Sequence, residues 1–199
     1  AHPRVAAFWL PRFERFAEWF AETEPRRRGG VKRVLAELSG ALVLDAPAGP
    51  FTLTARADRI DVRDGGALAI VDYKTGTTPT PSRVLGGEAP QLPLEAAIAG
   101  GGGFDHVDAA RVAALSYIRV TGAEPPGEER PIACDDPAAI ARAALEGLMS
   151  LITDFDSEET PYRATRRHAF KDIYRFDSYA HLARAAERDH PSWAAGQRG

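Results

Sequence analysis

The chain has 199 residues, 44% of them apolar and 27% charged, with a formal charge of −3. That apolar fraction is too high for a disordered chain, and no run of about 18 uncharged apolar residues is present to cross a membrane. A single cysteine, Cys134, excludes a disulfide framework, a four-cysteine zinc knuckle and a self-contained four-cysteine iron–sulfur site, and points to a reducing, intracellular setting.

The first residues, Ala1-His2-Pro3-Arg4, carry no initiator methionine and no signal-peptide pattern, which reads as a domain cut from a longer parent chain. Phe13, Phe16 and Phe20, with Glu14, Arg15, Glu18 and Glu22 between them, predict an amphipathic helix over 11–24. Pro25 to Gly30 breaks it, and Val31 to Leu44 predicts a strand bent at Ser39-Gly40. Over 51–62 apolar residues alternate with Thr52, Thr54, Arg56 and Asp58, the period of a half-buried strand. Asp64-Gly65-Gly66 then supplies a hairpin turn, and Ala67 to Val71 the short return strand.

Thr77 to Ala89, rich in Pro and Gly, reads as a loop, and a helix follows from Pro90 to the glycine run at 100–103. A strand is predicted over 111–120, an acidic loop over 121–137 and a helix over 138–155. The tail predicts a last helix over 178–188. Residues 1–160 are expected to form the core and 161–199 a basic helical extension. Residues 121–160 carry ten acidic against two basic side chains and residues 161–199 eight basic against four acidic, so the near-neutral total hides surfaces suited to a polyanion.

Asp58, Asp72 and Lys74 carry the chemical signal. Residues two apart on a strand share a face, so Asp72 and Lys74 project together, and Asp58 on the partner strand can approach Asp72 across the ladder. Two hard carboxylates suit Mg²⁺ or Mn²⁺ with open water positions, and an adjacent ammonium suits water activation and phosphate neutralisation. Lys74 is one of only three lysines among 25 cationic residues, and guanidinium cannot supply a titratable amine. Read alone, Asp58 and Asp72 serve equally as hairpin-end residues that bond turn amides or arginines. Asp61, an odd number of positions from Asp58, faces away and reads as structural. Arg56 and Arg59 flank Asp58, and either phosphate contact or ion pairing suits them. Arg166, Arg167 and Lys171 belong to a basic cluster that suits phosphate or a generic solvated surface. The five histidines show no metal-ligand spacing.

Ala57-Asp58-Arg59-Ile60-Asp61, then Val71-Asp72-Tyr73-Lys74-Thr75-Gly76, then Gln91, resembles the PD-(D/E)XK nuclease superfamily, and within it the RecB-like branch. The front helix with Trp9 and Trp19, Ala36 to Gly40 and Tyr179 to Arg184 resemble the AddB-type nuclease domains of α-proteobacterial helicase–nucleases. The resemblance implies an α/β, restriction-endonuclease-like core with a mixed central sheet, in the order α-β-β-β-α-β, with additional C-terminal helices. It implies that Asp58, Asp72 and the Tyr73 backbone carbonyl bind Mg²⁺, with Glu37 a candidate further ligand. Lys74 would position or deprotonate the attacking water, and Gln91 would hold substrate phosphate or a metal-bound water.

In-line attack would leave a 5′-phosphate. The implied partners are a DNA strand delivered from a duplex end, an AddA-like helicase–nuclease subunit and the rest of the parent chain, in a bacterial cytoplasm at the nucleoid, during repair of double-strand breaks. Four departures stand out. Ala57 replaces the motif's proline, and the family's Gln-x-x-x-Tyr reads Gln91-Leu92-Pro93-Leu94-Glu95. The iron–sulfur cysteines are missing, so no such cluster is expected, and no histidine has the context of the branch's early-helix histidine. No Gly-x-x-x-x-Gly-Lys-Ser/Thr loop occurs, so the chain is not itself the ATPase. A non-catalytic DNA-binding module on a nuclease fold and a stand-alone RecB-like exonuclease are the alternative readings.

Overall fold

The structure, a computed structural model, describes residues 3–162. The chain divides into two units, Ala1–Asp156 and Ser157–Gly199, and only the first is described substantially. Arg166, Arg167, Lys171 and the helix expected over 178–188 lie outside the described residues.

The first unit runs α1 (Pro3–Arg27), β1 (Val31–Ala46), β2 (Gly49–Arg63), β3 (Leu68–Lys74), α2 (Pro81–Leu85), α3 (Gln91–Gly100), β4 (Val112–Val120), β5 (Gly127–Pro131) and α4 (Pro137–Asp156). The five strands form one mixed sheet in the order β1-β2-β3-β4-β5, antiparallel except for the parallel β3–β4 pair. This is the α/β, restriction-endonuclease-like arrangement expected. The parallel pair needs a long crossover, which α2 and α3 provide.

The β2–β3 turn falls where the glycines predicted it, with Gly65 and Gly66 at φ 84° and 86°, a conformation that disfavours any side chain. The bend expected at Ser39-Gly40 does not form, because β1 continues to Ala46. Gly40 instead lies directly under the Phe104 ring, where a Cβ would collide with it. The register of β1 slips between Val31 and Arg33, and Glu37 stands at a φ of 57° without breaking the pairing around it.

Two elements emerge from segments read as loops. Thr80 caps α2 by accepting the Arg83 N–H, and Val84 anchors that short helix in the core. Among the described strands the polar β5 pairs with β4 alone, as suits an edge strand ending in proline, and Gly127 leaves room for the Trp19 ring of α1.

The two sheet faces have different partners. Ile60 and Ile70 pair across β2–β3 and lie fully buried on the α3 side, with Leu92, Ile98 and Leu115 in the same core. Arg59, Asp61 and Tyr73, on alternate positions, face α1. There Arg59 donates to both Asp61 oxygens, at 2.7 and 3.0 Å, to Glu24 of α1 and to the Tyr73 hydroxyl. A guanidinium so enclosed is held firmly charged, because its two carboxylates outweigh the cost of burial. Of the two roles open to Arg59, phosphate contact and ion pairing, the structure shows ion pairing: its side chain is 4% exposed and fastens α1 to the sheet. Asp61 is structural, as its odd spacing from Asp58 indicates.

Candidate active site at the end of strand β3

The β2–β3 ladder stops at Arg59 and Val71. One position further, Asp58 Oδ2 accepts the Tyr73 backbone N–H at 2.8 Å, so a side chain takes over where strand pairing ends. The strands part there, and Asp72 and Lys74 project from the opened edge on the face toward α3. Lys74 Nζ lies 2.8 Å from Asp72 Oδ1, 2.7 Å from Oδ2 and 2.9 Å from Gln91 Oε1. Gln91 Nε2 donates to Asp72 Oδ1 at 2.6 Å and to Glu95 Oε1 at 3.0 Å. The four residues singled out in the sequence, Asp58, Asp72, Lys74 and Gln91, therefore meet.

Gln91 reaches the site because α3 opens there, with Pro93 tolerated in its first turn. The helix is apolar nearly all round, and Leu92, Ala96, Ile98 and Ala99 are buried. Glu95 is its sole charge, four residues after Gln91 on the same face, and is 3% exposed. Sequence reasoning met Glu95 only as the departure from the family's Gln-x-x-x-Tyr and gave it no role. A lone carboxylate in an otherwise apolar helix, one turn after a candidate site residue, was the available signal.

Electrostatics mark the same place. Burial pushes the Asp72 carboxyl up, with the Asp58 charge adding, against the Lys74 and Gln91 hydrogen bonds that favour its ionised form. Burial, then the Asp72 and Asp58 charges, carries Glu95 up to about 7, although the Gln91 hydrogen bond opposes the shift. The Tyr117 phenol is pushed up to about 12 by burial and by Asp72 and Glu95.

Among the described residues, the buried side-chain atoms without a hydrogen-bond partner are Asp72 Oδ2, Glu95 Oε2, Tyr117 hydroxyl and Arg119 Nε. Asp72 Oδ2 has its ion pair with Lys74, outside hydrogen-bonding direction. The parallel register sets Tyr117 beside Asp72 and Arg119 beside Lys74, so these orphaned atoms gather at the end of β3 rather than scattering through the core. Buried polar atoms are normally paired, and a cluster of exceptions marks a functional surface.

The donor set suits a hard cation. Asp58 and Asp72 offer oxygen only, with no thiolate or imidazole beside them. Among the described residues no three His, Cys, Asp or Glu side chains are spaced to hold a metal together, so water or substrate would complete a shell, as Mg²⁺ favours. Glu37 does not join the group expected of it. Its exposed carboxylate pairs with Arg56 at 2.7 Å on the β1–β2 surface, which also accounts for Arg56. No helix among the described residues is long and apolar enough to cross a membrane.

A family model described as the PD-(D/E)XK nuclease superfamily matches residues 3–173. Uncharacterized proteins of Rickettsia typhi and Rickettsia felis are 33% and 31% identical over 87 and 97 residues, 44% and 49% of this chain and 10% and 11% of theirs. The chain thus spans about a tenth of the length of the curated relatives it matches. The crystal structure of SSO0001 aligns with a TM-score of 0.36 and 16% identity over 67% of this chain and 58% of that one.

Proposed function

Because this chain belongs to the PD-(D/E)XK nuclease superfamily, we propose that it is a metal-dependent deoxyribonuclease domain whose chemistry is carried by Asp58, Asp72, Lys74 and Gln91. The observation that supports this most strongly is the Lys74 ammonium held between Asp72 and Gln91 at an opened sheet edge where unpaired polar atoms gather. Asp58, Asp72 and the Tyr73 carbonyl would hold Mg²⁺ or Mn²⁺. A bound divalent cation supplies Lewis-acid polarisation of the scissile phosphate and acidifies an attacking water.

The remaining work falls to the chain itself. Lys74 is 30% exposed at its side chain, so its ammonium can face substrate while Asp72 and Gln91 restrain it. From there it orients the attacking water and neutralises charge that builds on the phosphoryl oxygens. Arg119, beside Lys74 in the register and with an unpaired Nε, offers a donor fork for an adjacent phosphate. In-line displacement would leave a 5′-phosphate and a 3′-hydroxyl.

The AddB-type assignment belongs to this proposal, as do an AddA-like helicase partner, the rest of a longer parent chain, a single DNA strand delivered from a broken duplex end, and a cytoplasmic, nucleoid-associated place of action. Motif spacing and the front helix support it.

A second reading, a nuclease fold kept for DNA binding without cleavage, draws on the observation that no three-residue ligand group stands among the described residues. End-labelled single- and double-stranded DNA incubated with the protein and Mg²⁺ separates the two. Products bearing 5′-phosphate, abolished by EDTA and by Asp72→Asn, are expected. DNA that is bound but never cut would favour the second reading.

A further inference from the structure

Glu95 has no part in the chemistry proposed above, yet it contacts the residue that joins Asp72 to Lys74. Gln91 Nε2 donates to Asp72 and Glu95 while Gln91 Oε1 accepts from Lys74, so both ends of the amide are committed. A half-turn of that amide would set its NH₂ against an ammonium and its oxygen against two carboxylates. Terminal amide torsions are broad and roughly two-fold by themselves, so the neighbours decide the orientation. Asp72 and Lys74 would lie within reach of either orientation of a freely turning amide; Glu95 adds the second acceptor on the Nε2 side.

Burial supplies an independent observation. Glu95 Oε2 is enclosed and has no hydrogen-bond partner, and the residue stands in a helix whose other buried members are apolar. A leucine would fit that environment at lower cost. Stability does not explain a carboxylate at this position, whereas its contact with Gln91 does.

We propose that Glu95 is a positioning residue that fixes the Gln91 amide, with Oε1 toward Lys74 and Nε2 toward Asp72, and through it aims the Lys74 ammonium. Its effect on cleavage rests on the nuclease reading; its effect on Gln91 does not.

The test uses the full chain and the variants Glu95→Gln, which keeps an acceptor oxygen, and Glu95→Leu, which does not. Two readouts are taken: kcat and KM for Mg²⁺-dependent DNA cleavage, and hydrogen exchange of the Gln91 side-chain amide by NMR, assigned with Gln91→Glu. Glu95→Leu should lower kcat by about 10- to 100-fold, the usual cost of losing a supporting hydrogen bond, with KM within about threefold and no loss of thermal stability. Its Gln91 amide protons should lose protection. Glu95→Gln should keep that protection and lose less activity.

Equal damage by both variants, unchanged kcat in Glu95→Leu, or rapid exchange of the Gln91 amide in the unsubstituted protein would overturn the proposal. The last measurement decides the matter even if Glu95→Leu does not fold. A chain that cuts no DNA but shows the expected amide protection sinks the nuclease reading and leaves the positioning role standing.

Discussion

Asp58 accepts the backbone N–H of Tyr73 at 2.8 Å, one residue past the last paired position of β2 and β3. A carboxylate thus ends the ladder, and the residues on either side of Tyr73 in the chain, Asp72 and Lys74, are presented at the edge this creates. The contact gives Asp58 two separable duties, holding the strand end and lending charge to the site.

Asp58→Asn retains an oxygen that can accept the Tyr73 N–H, whereas Asp58→Ala does not. Urea denaturation should find the asparagine variant within about 0.5 kcal/mol of the parent and the alanine variant about 1–2 kcal/mol less stable. Both should lose DNA cleavage in Mg²⁺. An asparagine variant that cuts normally would remove Asp58 from the metal-binding set.

Arg59 and Arg56 are neighbours on β2 with opposite expectations. Arg59→Ala strands Asp61 without its buried counter-charge, while Glu24 keeps Arg27 and Arg28, and should cost about 3–5 kcal/mol. Arg56→Ala removes a pair more than half exposed at both partners and should fall within about 0.5 kcal/mol of the parent. Chemical denaturation of both variants checks the contrast, and similar effects from the two would contradict the burial argument.

Much of this arrangement is legible in the sequence, for reasons that lie in local physics. The period-two alternation of β2 and β3 puts Asp72 and Lys74 on one face, and the Gly65-Gly66 turn brings Asp58 opposite. The burial of Arg59 is not legible, because it depends on α1 crossing the far face of the sheet. Nor is that of Glu95, which is enclosed only when α3 is packed against the sheet and α4. Strand β5 carries Glu128, Glu129 and Arg130 and has no alternating apolar face, so its strand character comes from β4 alone. Gly40 shows how a correct residue observation misleads: the glycine clears Phe104 and bends nothing.

The metal-free protein should lose stability as pH rises from about 5 to 8. Glu95 ionises at about 7 when folded against its ordinary 4.5, so the folded state holds its proton more tightly. Its stabilising contribution is fully present below 4.5 and is lost as pH climbs through 7, a change on the order of 3 kcal/mol. Asp72, also raised, acts in the same direction. Glu24 acts oppositely: burial disfavours its charge, but Arg59 and Arg28 prevail and lower its pKa, so its contribution is lost only in acid, as pH falls below 4.5 and through the lowered folded value. Urea denaturation in EDTA across pH 5–8 should therefore show the decline, and Glu95→Gln should flatten it. A flat profile in the parent would contradict the burial of Glu95.

The central claim is that Lys74 acts in phosphodiester cleavage rather than in holding DNA. Single-turnover cleavage of end-labelled DNA in Mg²⁺ by Lys74→Met, with DNA affinity measured in Ca²⁺, tests it most directly. The rate should fall by about 10²- to 10⁴-fold, the range for loss of a proton-handling side chain, while Kd stays within about threefold. Cleavage at the parent rate by a correctly folded Lys74→Met protein would contradict the account.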